Sequence, residues 1–161
     1  MTTAIKKESV WDYPRPPAIE PTRHHLKVLL DGIVLADTTH AYRILETSHP
    51  PTYYIPPSDV KMEYFKQNAR STFCEWKGAA RYYDVVVNGK TINSRVWFYP
   101  QPSSKYAALK DHLSFYATPF DCYVDDERVQ AQDGDFYGGW VTSWIDGGKK
   151  GMKGGPGTWG W

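Results

Sequence analysis

From Leu26 onward, apolar and polar positions alternate with the two-residue period of a β-strand. In LKVLLDGIVLADTT two apolar runs flank Asp31-Gly32, a pair suited to the positive-φ positions of a type I′ turn, and this predicts a hairpin. AYRILE continues the pattern, with Tyr42, Ile44 and Glu46 on one face and Arg43 and Leu45 on the other. In SHPPTYYIPPSDV four prolines bracket residues 52–55. A strand there belongs at the edge or rim of a sheet, because proline cannot donate to a ladder. ARYYDVVV and KTINSRVWFYP flank Asn88-Gly89 and predict a second hairpin. SSKYAALKDHLSFY has helical spacing: Ser103 or Ser104 caps it after Pro102, and Tyr106, Leu109, Leu113 and Tyr116 form one stripe. FDCYVDDERV, after Pro119, predicts a last strand. The expectation is a mainly β protein with β-hairpins, one α-helix over about residues 103–116, no internal repeat and a single core.

The flanks break the pattern. Residues 1–25 carry Pro14, Pro16, Pro17 and Pro21, which predict an irregular segment docked through Trp11 and Tyr13. Residues 131–161 end in DGGKKGMKGGPGTWGW, a linker by composition, yet Trp159 and Trp161 are costly to leave in water. The two ends are therefore expected to pack on a central domain of residues 26–130, against each other as well. The chain has 161 residues, ordinary apolar and charged content, and aromatics at 16%. Rings at that level imply a ring-built core or a concave aromatic surface. The net charge of +1 excludes a bulk electrostatic nucleic-acid binder. Local runs, Lys149, Lys150 and Lys153 on one side and Asp125, Asp126 and Glu127 on the other, read as solvated surface. No apolar run is long enough to span a membrane. The first residues lack an apolar signal region, and two unclustered cysteines suit a reducing cytoplasm.

The order ILETSHPPTYYIPPSDV, CEWKGAARYYDVVVNG, VWFYPQP and FYATPFDCYVDDERV resembles the DUF427 family over roughly residues 26–130. ESVWDYPRPP and KGGPGTWGW resemble the flanks of its longer form. The resemblance implies an Mss4-like, β-tent-type fold in which two sheets meet around a cleft. Relatives of that fold include zinc modules, a cereblon-type ligand-binding domain and methionine sulfoxide reductases. The family has carried a nucleotidyltransferase-like label, but this sequence has neither a Gly-Ser helix start nor a paired-aspartate strand to hold Mg²⁺ beside phosphates.

No metal or other cofactor is expected. Structural zinc needs two Cys-x-x-Cys knuckles; here CEWK puts Lys77 at the second sulfur position, and Cys122 stands alone. His24 and His25 are adjacent and do not readily share one metal. Cys74 has two readings. It is a small buried side chain, or it is a nucleophile whose thiolate Lys77 stabilises, with His49 as general base and Glu46 orienting it. Arg43, Glu46 and His49 lie within seven residues, and Tyr54, Trp76, Tyr83 and Trp97 add rings, the inventory of a ligand cleft. Read blandly, the rings fill a β core and Arg43 and Glu46 pair structurally. With Lys77, the set Arg43, Glu46, His49, Tyr54, Trp76, Tyr83 and Trp97 points to a small-molecule partner. Arg43 and Lys77 suit an anion, and Trp76 and Trp97 suit a flat ring or a cation. Small-molecule binding is the first functional expectation; an enzyme using Cys74, or Glu46 and His49, and a protein-interaction module with aromatic, proline-rich ends are the alternatives.

Overall fold

The computed structural model describes residues 7–134, 136–148, 150–155 and 157–161. In chain order the strands are β1 (Glu8–Ser9), β2 (Ala18–Pro21), β3 (Leu26–Leu30), β4 (Ile33–Thr38), β5 (Tyr42–Leu45), β6 (Thr52–Tyr54), β7 (Phe65–Cys74) and β8 (Gly78–Val87). They continue as β9 (Lys90–Phe98), β10 (Ser114–Phe115), β11 (Asp121–Val124), β12 (Glu127–Arg128), β13 (Gln130–Ala131), β14 (Trp140–Val141) and β15 (Ile145–Asp146).

Two short turns set the register of the two largest sheets. Asp31 and Gly32, at φ 50° and 79°, join β3 to β4; Asn88 and Gly89, at 51° and 75°, join β8 to β9. Both pairs have the double positive φ of a type I′ turn, whose twist matches that of the strands it connects. From them grow the antiparallel sheets β12-β11-β3-β4 and β10-β9-β8-β7. A third sheet, β2-β5-β6, places the proline-bracketed β6 at its edge, where its missing donors cost no ladder bond. β2 pairs with β5 throughout, so residues 18–21 of the proline-rich start are a strand. FDCYVDDERV is a hairpin rather than one strand: Asp125 and Asp126 turn at positive φ and β12 folds back on β11.

The expected helix is shortened. Residues 104–109 form a 3-10 segment that kinks at Tyr106, Asp111 takes φ 60°, and Ser114–Phe115 then pairs with Val96 and Trp97 as β10. Tertiary partners override the helical stripe: the Tyr106 hydroxyl donates to Pro17 O at 2.6 Å, and Leu113 exchanges two backbone hydrogen bonds with Ile55.

Buried side chains fall into two clusters where one core was expected. The larger is aliphatic and joins β3, β4 and β11 to Trp140 and Trp144. The smaller is mostly rings: Tyr54, Tyr82, Trp97, Tyr99 and Tyr106, with Ile44, Ala80 and Leu109. β8 serves both, through a register shift between Tyr83 and Val85 that lets Tyr82 and Val85, of opposite parity, both be buried. No helix among the described residues is long and apolar enough to cross a membrane.

Candidate functional site

The ring cluster is open on one side, and a cleft of about 670 Å³ lies over it. Its floor comes from the start of β8 and the end of β9. Its rim comes from β7, from the turn after β5, and from Gln132 and residues 136–138 with Lys153. Glu46, His49, Tyr54, Cys74, Trp76, Lys77 and Trp97 all line it.

Lys77 sits deepest in charge terms, only 8% exposed. The turn between β7 and β8 sends it there: Ser103 Oγ donates to Trp76 O at 2.6 Å, and Ser103 N–H donates to Lys77 O at 3.0 Å. Gly78 follows at φ 109°, with space for its α-carbon only, because a Cβ there would stand 3.3 Å from Gln101 O. Inside, the Lys77 ammonium lies 5.9 Å and 6.0 Å from the ring centres of Tyr99 and Tyr106. Burial works against its charge, but the Tyr54 hydroxyl, the Cys74 sulfur and the Glu46 carboxylate outweigh burial and hold its pKa above the ordinary lysine value. It makes no ion pair with any described residue.

Tyr54, fully buried, accepts a long hydrogen bond of 3.4 Å from Trp97 Nε1, and its ring lies 6.1 Å from that of Tyr99. Burial raises its pKa, so it stays a neutral phenol. Trp97 is held edge-on by Tyr54 and Tyr116, at 6.3 Å and 5.0 Å between ring centres, and Gly138 backs it so closely that a Cβ would stand 2.1 Å from its ring.

His49 is boxed edge-on by Tyr137, 5.2 Å between centres. Its Nε2 stands 3.5 Å from Glu46 Oε2, an ion pair if the ring were charged. Burial, then the charges of Lys153, Arg15 and Lys77, prevail and lower its pKa to about 4, so the imidazole is neutral near pH 7 and the contact is not ionic. Glu46 is also reached by Arg15, at 3.7 Å.

Arg43 and Tyr83 lie elsewhere. Arg43 is cross-strand from Glu20, pairs with Glu20 at 2.5 Å and with Glu8 at 2.9 Å, and forms a structural ion triad with them. It alternates with Ile44, whose side chain joins the ring cluster, so it faces away from the cleft. Tyr83 likewise alternates with Tyr82; it stacks on Phe98 at 4.6 Å and meets Phe65 edge-on. The bland reading of an Arg43–Glu46 pair is also set aside, since Arg43 pairs with other carboxylates.

The cleft also contains residues that the sequence did not single out: Arg70, Arg95, Tyr116, Phe136, Tyr137 and Lys153. Arg95 lies 3.9 Å above Tyr116 and donates to Thr118 O. Lys153 belongs to the run read as solvated surface, but its ammonium reaches Trp161 O at 3.2 Å and lies over Tyr137. Lys150 lies over Trp11, and Lys149 is outside the described residues. Asp125 accepts the His25 N–H and meets His24, and it stays exposed with Asp126. Among the described residues, no three His, Cys, Asp or Glu side chains converge as metal ligands.

The molecule is mainly β, with a cleft over an aromatic cluster and a buried ammonium in its lining. The chain belongs to the family described as a domain of unknown function, DUF427, which matches residues 18–126. No curated protein matches the chain.

Proposed function

We propose that the protein binds a small organic anion with a flat apolar body, the anionic group on Lys77 and the body against the rings of the cleft. The observation that carries this reading is Lys77 itself: an ammonium 8% exposed, held charged by its neighbours, opening on a cleft and in no direct ion pair with a described residue. A charge kept at the wall of a cleft suits a bound anion. The lining agrees, with Arg70, Lys77, Arg95 and Lys153 against Glu46 and Glu75. Trp76, Trp97, Tyr116 and Tyr137 give flat surfaces for a ring, the usual mixture of a ligand pocket. The two four-stranded sheets support an Mss4-like, β-tent-type fold, and the free thiols Cys74 and Cys122 suit a cytoplasmic protein.

Thermal shift against benzoate, indole acetate, adenosine monophosphate and inorganic phosphate tests the reading. Binding to the native state alone adds about 2.7 kcal/mol of stability at a hundredfold excess over Kd. A probe that stabilises wild type and Tyr83→Phe but not Lys77→Met supports it; equal stabilisation of Lys77→Met refutes it. A second reading, catalysis by Cys74 as nucleophile, is favoured by its place in the cleft lining together with the charged Lys77. Iodoacetamide labelling of the native protein that slows markedly in Lys77→Met would support it; labelling only after denaturation would end it.

A further inference from the structure

Cys74 and Lys77 are the two ends of one turn. β7 finishes at Cys74, and Gly78, the first residue of β8, is its cross-strand partner. Ser103 binds the Trp76 and Lys77 carbonyls from outside, which fixes the turn and leaves the buried Lys77 side chain lining the same cleft as Cys74. Cys74 is half-buried and lines the cleft, so a small oxidant has a route to its sulfur. Cys122, by contrast, is wholly buried, and burial pushes its thiol far up, which makes it inert.

We propose that hydrogen peroxide joins Cys74 Sγ to Lys77 Nζ through a reversible sulfenamide bond across this turn. In the first step the sulfur attacks one peroxide oxygen, the O–O bond breaks, and the products are a Cys74 sulfenic acid and water. The sulfur is oxidised by two electrons and the peroxide is reduced by the same two. In the second step the Lys77 ammonium gives one proton to water in the open cleft, and the freed nitrogen lone pair attacks the sulfur to form the S–N bond. The S–O bond breaks, and hydroxide departs with a proton from the amine as a second water. A thiol reductant reverses the bond by attacking sulfur and returning the free amine.

The site favours the second step because Cys74 and Lys77 leave one pinned turn and line the same cleft, so little orientation is left to find. The bond removes the ammonium from the cleft floor and thereby switches anion binding off. That consequence rests on the ligand reading above; the crosslink does not.

The test is peroxide treatment of the full chain, alkylation, trypsin digestion and mass spectrometry. In the reduced protein trypsin cuts after Lys77. In the oxidised protein the expected product is the peptide of residues 71–81, uncut at Lys77, lighter by two hydrogens and restored by dithiothreitol. It forms in Cys122→Ser and is absent from Cys74→Ser and Lys77→Arg. The proposal is overturned if Cys74 stays unmodified, if it stops at a dimedone-reactive sulfenic acid or a sulfinic acid with Lys77 still cleaved, or if urea-unfolded chain crosslinks as well as native. If the crosslink forms but probe binding is unchanged, the ligand reading fails and the crosslink stands. If a probe binds through Lys77 but no crosslink forms, the crosslink alone fails.

Discussion

Burial forces His49 to remain neutral, and this has a consequence for stability. The ring titrates near the ordinary value of 6.5 in the unfolded chain and at about 4 in the fold. Between those two values the unfolded state binds the proton first, so stability is complete above about pH 6.5 and is lost as pH falls through the folded value. The shift corresponds to about 3 kcal/mol for a side chain 15% exposed. Urea unfolding at about pH 7 and about pH 4.5 should show wild type losing more stability on acidification than His49→Gln, by about 2 to 3 kcal/mol. Parallel losses would contradict the neutral imidazole. Lys77 makes a second test. Its raised pKa means that the folded chain holds the ammonium better than the unfolded chain does, so Lys77→Met should lose stability in urea unfolding near pH 7; an unchanged value would show that its neighbours do not compensate the buried charge.

The elements around the cleft are held by close backbone approaches. Gly138 lies against Trp97 with no space for a Cβ, whereas Gly160 has nothing within 4 Å. Gly138→Ala should therefore destabilise by about 1 to 3 kcal/mol and change tryptophan fluorescence, as Trp97 is pushed aside. Gly160→Ala should leave both unchanged, and equal effects in urea titration would show that the contact is not tight. The turns at Asp31-Gly32 and Asn88-Gly89 were legible in the sequence because their chemistry is local: two residues specify the backbone angles. β7 was not, because seven of its ten residues are exposed and an edge strand open on both faces has no alternation to display. The helix over 103–116 was half legible; its three-residue apolar steps fit a 3-10 turn, and Asp111 and the pairing of Ser114 and Phe115 end it. The alternation that placed Glu46 and Ile44 together already separated them from Arg43, and Tyr82 from Tyr83, so the two site residues outside the cleft were excluded by the strand period. The contribution of Tyr116, Tyr137 and Lys153 could not be read, since it depends on long-range docking of a segment whose composition is that of a linker; only its aromatic residues signalled contact.

At the scale of the molecule, the two ends of the chain close on each other beside that docked segment. β1 pairs in parallel with β15, and Trp11 Nε1 donates to Gly147 O at 3.0 Å and to Gly151 O at 2.8 Å. The Trp11 and Trp161 rings meet edge-on at 5.2 Å, and Lys150 lies 4.3 Å from the Trp11 ring centre. Residues before these final ones reach the larger core, where Trp140 is 1% exposed and donates to Phe115 O. Since Gln132 and Lys153 are hydrogen-bonded and both line the cleft, the terminal contacts brace one wall of the site. A double-mutant cycle measures the bracing. Trp11→Ala should cost about 1 to 3 kcal/mol, from the loss of a half-buried indole and of its two hydrogen bonds, although Gly147 O keeps the Gly151 N–H. Deletion of residues 147–161 should lower the melting temperature as well. Because both changes remove the same contacts, the double variant should be less destabilised than the sum by at least about 1 kcal/mol, whereas contacts without shared partners add to within about 0.5 kcal/mol. Strict additivity would mean that the ends rest on the domain separately, and that the cleft wall owes nothing to their meeting.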